Sequence, residues 1–250
     1  MDNAIENVEQ ARKSFNHILD NEKYAGIIKD DKHLALLLSL ADNGAPNNIL
    51  DIGTGTGYLA FPLAERFPTA KVCGIDIAET IVKKNNIIVK EKGISNLTFE
   101  VFDGLKYPFP DESFDLIVTR YAFHHFPNAK DAIRQMNRIL TKDGRVLISD
   151  PIRDEKDKNK VIDNFMKVKK DGHIQLYSID ELNELFTDNG FIKESQVITD
   201  MKFPFARQDE YIQLYNKTDD KDKSLYDITN DNGTIWIKHI NVGNFVFVKI

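Results

Sequence analysis

The chain has 250 residues, 42% hydrophobic and 29% charged, with a formal net charge of -6 and a pI near 5.6. That length suits one large domain or one domain with a small lid, and the balance is that of a folded soluble protein. The acidic excess argues against nucleic acid as a partner, and the longest apolar run, Leu34 to Leu38, is far short of the roughly 20 residues of a membrane span.

In chain order, the acidic start Met1-Asp2-Asn3-Ala4-Ile5-Glu6 has no apolar core, so it is not read as a signal peptide. Residues 1–30 are polar with scattered apolar anchors, and one or two short helices outside the main core are expected. A buried helix follows from Asp31, and Asn43-Gly44-Ala45-Pro46 ends it. The first strand is expected at 48–52. A Gly-rich turn and a helix from Tyr58 to Phe67 follow, with Pro62 early enough to be tolerated. Further strands are expected at Lys71 to Asp76, Leu97 to Phe102, Phe114 to Thr119 and, after the Lys142-Asp143-Gly144 turn, Arg145 to Ser149. Helical segments separate them, which indicates an α/β fold with a parallel sheet.

The last hundred residues are less regular. Asp154 to Lys160 is nearly all charged and reads as a solvated face, and Ser178-Ile179-Asp180-Glu181 is a capping box that opens a helix. Phe191 to Thr199 reads as a strand and 204–232 as an inserted helical segment. Thr234 to Ile240 and Phe245 to Ile250 read as two final strands. The only cysteine, Cys73, allows no internal disulfide and no cysteine-based metal framework; its place in an apolar strand suggests an inert thiol. A cytoplasmic location is expected.

Chemistry concentrates at Asp51-Ile52-Gly53-Thr54-Gly55-Thr56-Gly57-Tyr58. A strand, a tight glycine turn and a helix N-terminus bring backbone N–H groups to a ligand at the mouth of a parallel sheet. A dinucleotide turn needs G-x-G-x-x-G, and Tyr58 stands where its third glycine belongs. A phosphate-binding loop fails too, because no Gly-Lys-Ser/Thr follows.

The pattern acid-x-Gly-x-Gly-x-Gly resembles motif I of the class I S-adenosylmethionine-dependent methyltransferases. The run Phe114 to Phe126 resembles motif IV with its following loop, and Leu140 to Ile148 resembles the turn into strand five. Together these cover 48–150, with wording closest to the ubiquinone/menaquinone-biosynthesis C-methyltransferases and their small-molecule relatives. The segments His124-His125-Phe126 and Asp171-Gly172-His173-Ile174 point the same way.

The resemblance implies a Rossmann-like, seven-stranded, mostly parallel sheet with an N-terminal helical lid and a C-terminal helical insertion. Residues 1–45 would cap a single methyltransferase domain, 46–150 hold the cofactor and 151–250 form the substrate side. The implied cofactor is S-adenosyl-L-methionine, leaving S-adenosyl-L-homocysteine. Asp51 would lie near the methionine amino group beside Gly53 and Gly55, with Asp76 on the ribose hydroxyls and Ile77 over the adenine. Asp103 would accept from the adenine amino group, Gly104 and Leu105 would give backbone contacts, and Arg120 is counted with the cofactor contacts. Tyr24 is the candidate contact from the lid.

Methyl transfer from a sulfonium needs positioning and, for some acceptors, a base. His125 is favoured as base and as a neighbour of the methionine end, and His173 is a second candidate reaching from the lid. A packed or capping histidine is the competing reading for both; His17 and His33 are read as structural. No Asn/Asp-Pro-Pro-Tyr/Phe follows strand four, as amino methylation of adenine or glutamine would ask. Tyr107, Phe109, Tyr121, Phe123, Phe126, Phe203 and Phe205, with Arg207, could wall an apolar acceptor pocket or be ordinary packing. The expected partner is a small, apolar or aromatic methyl acceptor, with a homodimer as the candidate assembly. A tRNA, rRNA or protein methyltransferase and a non-catalytic cofactor-binding module are the alternatives.

Overall fold

In the computed structural model, residues 2–18, 30–42, 44–204 and 209–250 are described. One sheet runs through the molecule. Strands β1 (Asn48–Ile52), β2 (Lys71–Asp76), β3 (Leu97–Val101), β4 (Phe114–Arg120) and β5 (Leu140–Pro151) pair in parallel. Two long strands, β6 (Phe191–Pro204) and β8 (Thr234–Lys249), complete it antiparallel, in the order β3-β2-β1-β4-β5-β8-β6. The chain moves outward from β1 to β3, then crosses to β4 on the other side of β1. The end of β1 is therefore the switch point, where a crevice opens at the carboxyl ends of the strands.

Alternation along each strand sends neighbouring residues to opposite faces. Ile49, Leu116, Val118 and Leu147 pack on one side with helices α2 (Asp31–Ala41), α3 (Ala60–Arg66) and α4 (Glu79–Lys92). Leu50, Ile117, Val146 and Ile148 pack on the other with α5 (Ala129–Ile139) and α7 (Ile179–Thr187). The strongly amphipathic α5 buries Ala129, Ala132, Ile133, Met136 and Ile139, and its Asn128 side chain caps the first turn. The Ser178–Glu181 capping box forms as expected. At the N-terminus, α1 (Asp2–Ile18) is a single helix with Val8 and Ala11 buried.

The C-terminal region departs from expectation in three ways. Residues 204–232 are not wholly helical: after α8 (Asp209–Lys217) and α9 (Asp220–Ser224) comes an eighth strand, β7 (Ile228–Asp231), paired with β8. Its hairpin turns on Asn232 and Gly233, both at positive φ, which is the two-residue Asn-Gly turn that matches strand twist. The two final strands expected are one, because 242–248 pair with β5 and β6 at once and leave no room for a break. Lastly, the charged run 154–160 is not simply solvated. Asp157 is fully buried and accepts from Val161 N, Ile162 N and the Tyr226 hydroxyl, satisfying the open N–H groups of α6 (Val161–Lys167). A third apolar cluster, with Phe165, Tyr211, Ile235 and Ile237, ties α6, α8 and the start of β8 together. No helix among the described residues is long and apolar enough to cross a membrane.

Candidate active site

The glycine turn leaves β1 under two backbone hydrogen bonds, Gly53 N and Thr54 N both donating to Ile75 O at 2.9 and 3.0 Å. Gly53, Gly55 and Gly57 have φ of +69°, +51° and +76°, a region that residues with a Cβ enter at a cost. They serve different ends. A Cβ at Gly53 would stand 2.5 Å from Ala122 Cβ and one at Gly57 2.5 Å from the Phe61 ring, whereas at Gly55 nothing lies within 4 Å. The outer two glycines permit packing, and the middle one keeps a face open.

That face belongs to a cleft that α1 covers with Val8, Ala11 and Phe15. Asp51 is buried at its floor and accepts from the Thr54 hydroxyl at 2.7 Å; burial pushes its carboxyl up to about 7. Asp76, also buried, accepts from Gly55 N at 2.8 Å and Ala78 N at 2.9 Å. Burial raises its carboxyl too, and these N–H groups oppose the rise. Arg120 is the only lysine or arginine among the described lining residues. Its guanidinium lies 3.9 Å from the Tyr58 ring centroid and 4.0 Å from that of Tyr121.

Of the residues singled out from the sequence, Asp51, Gly53, Gly55, Asp76, Ile77, Gly104, Arg120 and His125 share this cleft. Three others lie outside its lining. Asp103 is exposed and is not part of the lining; its Oδ1 accepts from Leu105 N and Lys106 N, both at 2.7 Å, so it closes a turn. Leu105 is also outside the lining, with its N–H given to Asp103 and its carbonyl accepting from Gln135. His173 does not reach in from a lid: it is buried outside the lining, with Nε2 2.7 Å from Asp163 Oδ1. Tyr24 lies outside the described residues.

The proposed aromatic wall is dispersed. Tyr121 and Phe126 line the cleft, Tyr107 and Phe123 are buried in the core, and Phe109 packs edge-on against Phe114. The Phe203 side chain, Phe205 and Arg207 lie outside the described residues.

The 3-10 turn Phe123–His125 after β4 sets the histidines. His125 enters the cleft wall, its ring 5.1 Å from Phe15 edge-on and 4.2 Å from His124. Burial, then the neighbouring His124, holds it well below the usual imidazole range, so it stands neutral. His124 turns away to Asp150, its Nδ1 3.0 Å from the carboxylate, and its backbone N also donates there. Burial lowers the His124 imidazole to about 3 and raises the Asp150 carboxyl. His33 is structural as expected, with Nε2 2.8 Å from Asn244 Oδ1 and 3.2 Å from the Ser149 hydroxyl.

Sequence reasoning did not count Val8, Ala11 and Phe15 as site residues, nor Tyr58 and Tyr121 as partners of Arg120. The apolar spacing of α1 was the available signal for the first three. Nothing local announces the arginine contacts.

Residues 43–233 match the family model described as a methyltransferase domain. The uncharacterized methyltransferase YcgJ of Bacillus subtilis is 29% identical over 226 residues, which is 83% of this chain and 86% of that protein. Its crystal structure superposes with a TM-score of 0.76 at 24% identity, over 88% of this chain and 99% of that one. A demethylmenaquinone methyltransferase of Thermus thermophilus is 35% identical over 111 residues, 44% of this chain and 50% of that protein. With a glycine turn and two buried strand-end acids at the switch point, and a family match over most of its length, the chain belongs to the class I S-adenosylmethionine-dependent methyltransferases.

Proposed function

We propose that this methyltransferase takes S-adenosyl-L-methionine into the cleft above β1, β2 and β4, and methylates a small apolar or aromatic molecule there. The observation that carries the reading is the open face at Gly55 between two buried acids, Asp51 and Asp76, with one arginine across from them. This donor set fits a nucleoside with a zwitterionic tail. Asp76, already oriented by two N–H groups, keeps lone pairs for ribose hydroxyls; Asp51 suits an ammonium and Arg120 a carboxylate. Ile77 and Gly104 supply an apolar seat for the base. When bound, the sulfonium supplies an electrophilic methyl group with a neutral thioether as leaving group.

The chain's own residues position, exclude water and take a proton. Val8, Ala11 and Phe15 close the cleft, and Phe102, Phe126 and Pro127 add apolar wall, which supports an apolar acceptor. The name of the Thermus relative, a demethylmenaquinone methyltransferase, agrees with such an acceptor. Neutral His125 has a nitrogen lone pair to accept the acceptor's proton as the methyl group arrives. In this reading 1–45 cap the site, 46–150 hold the cofactor and 151–250 shape the acceptor side.

Isothermal calorimetry with S-adenosylmethionine and S-adenosylhomocysteine tests the proposal, and no binding of either would sink it. Asp76→Ala weakens binding by about 2–3 kcal/mol, because charged hydrogen bonds are lost. Unchanged affinity would remove the ribose assignment. His125→Ala lowers turnover more than cofactor affinity; equal losses would make it a binding residue.

A further inference from the structure

Arg120 is held in an uncommon way. Its guanidinium touches two aromatic rings, those of Tyr58 and Tyr121, each about 4 Å from the guanidinium carbon. Both rings are themselves fixed. The Tyr58 hydroxyl donates to Asp30 O at 2.6 Å, and the Asp30 side chain in turn caps the first turn of α2. Tyr121 stacks on His33 at 5.9 Å and 28°, while His33 is pinned by Asn244 from β8 and Ser149 from β5. The Tyr121 backbone sits at φ +54°, with its N–H donating to Ser149 O at 2.8 Å. A non-glycine residue in that region costs free energy, and such strain concentrates where a side chain must be aimed. Planar groups thus run His33, Tyr121, Arg120, Tyr58, anchored at both ends to the sheet and to the start of α2.

We propose that this stack positions Arg120 to receive the carboxylate of an amino-acid-bearing nucleoside, with Tyr58 and Tyr121 as positioning residues. The inference rests on the cofactor reading above and adds to it the part of the ligand that the stack selects. An arginine on a free stem loses rotamer freedom when it grips a carboxylate; one held against two rings has lost it beforehand. Its planar fork suits a two-point grip on a carboxylate. Tyr58, the residue that breaks the dinucleotide pattern, supplies one of those rings.

Two ligands separate this role from general packing. S-adenosylhomocysteine carries the amino-acid end, and 5′-methylthioadenosine keeps the nucleoside and thioether without it. Calorimetry on the intact protein is expected to show Tyr58→Leu weakening S-adenosylhomocysteine about tenfold, with 5′-methylthioadenosine changed less than about twofold. Tyr58→Phe keeps the ring and recovers most of the lost affinity. Equal weakening of both ligands in Tyr58→Leu, or no weakening of either, overturns the inference. A wild-type protein that binds neither ligand overturns the cofactor reading and the inference with it. Binding of 5′-methylthioadenosine alone overturns the carboxylate grip and leaves the nucleoside seat standing.

Discussion

Asp51 carries a cost that a bound cation would remove. Burial pushes its carboxyl up to about 7; the Thr54 hydrogen bond pulls it back and the charge of Asp76 adds to the rise. In the unfolded chain the same group ionises near its ordinary 3.8. With the folded value the higher one, its contribution to stability is full below 3.8 and is lost as the pH rises through about 7. An ammonium placed against the carboxylate favours the ionised form and reverses that preference. Ligand-free protein should therefore lose melting temperature from about pH 4 to about pH 7 more steeply than Asp51→Asn does. Affinity for S-adenosylhomocysteine should rise over the same window in the wild type and stay flat in the variant. Thermal scans and calorimetry across that range check both outcomes, and parallel curves for the two proteins would refute the assignment. Asp51 and Asp76 were legible in the sequence because each ends an apolar strand before a turn. Asp103 has the same signature, but its carboxylate turned to the N–H groups of Leu105 and Lys106. The local pattern is the same whether an acid meets a ligand or its own backbone.

Among the elements, α1 and the turn 171–174 depend on each other. Gly172 has φ +80°, and a Cβ there would stand 2.6 Å from Ala11 Cβ and 2.9 Å from Asn7 O. The helix that closes the cleft is seated on a glycine. Gly172→Ala should lift α1 at a cost of about 1–3 kcal/mol, from strain and collision together. Hydrogen exchange of the Val8–Phe15 amides should quicken at least about tenfold while β1 amides keep their protection. Unchanged exchange in α1 would mean that the contact does not hold the helix. The Asp-Gly-His-Ile motif was visible in the sequence, yet its placement was not. His173 faces Asp163, and Asp163 lies on a short helix, α6, that the charged run before it concealed. By contrast, the Asn232-Gly233 turn was a readable hairpin signal, obscured by the helical pattern just upstream.

At the scale of the molecule, three apolar clusters hold the sheet, its two helical layers and the C-terminal insertion. Phe186 on α7 stacks on Phe247 of β8 at 4.0 Å and 5°, and it also meets Phe123 and Phe191. That contact joins the turn bearing the histidines to the antiparallel half of the sheet. Phe186→Ala should cost about 3–5 kcal/mol through lost burial and a cavity, seen as a lower urea midpoint at unchanged slope. A loss under about 1 kcal/mol would show that the site collapses around the gap or is not packed as described.

The sequence by itself determined most of the strand, turn and helix units and the acids at their ends. These follow from short-range rules: alternation, glycine conformations and the distance from one strand to the next. Only the tertiary structure decided which polar side chains face the cleft, where α1 sits and what holds Arg120. Those outcomes depend on partners far away in the chain, Asp30 and Tyr58, His33 and Asn244, Ala11 and Gly172, brought together by the sheet order. No local pattern encodes such pairs, because each is set by packing between elements rather than within one.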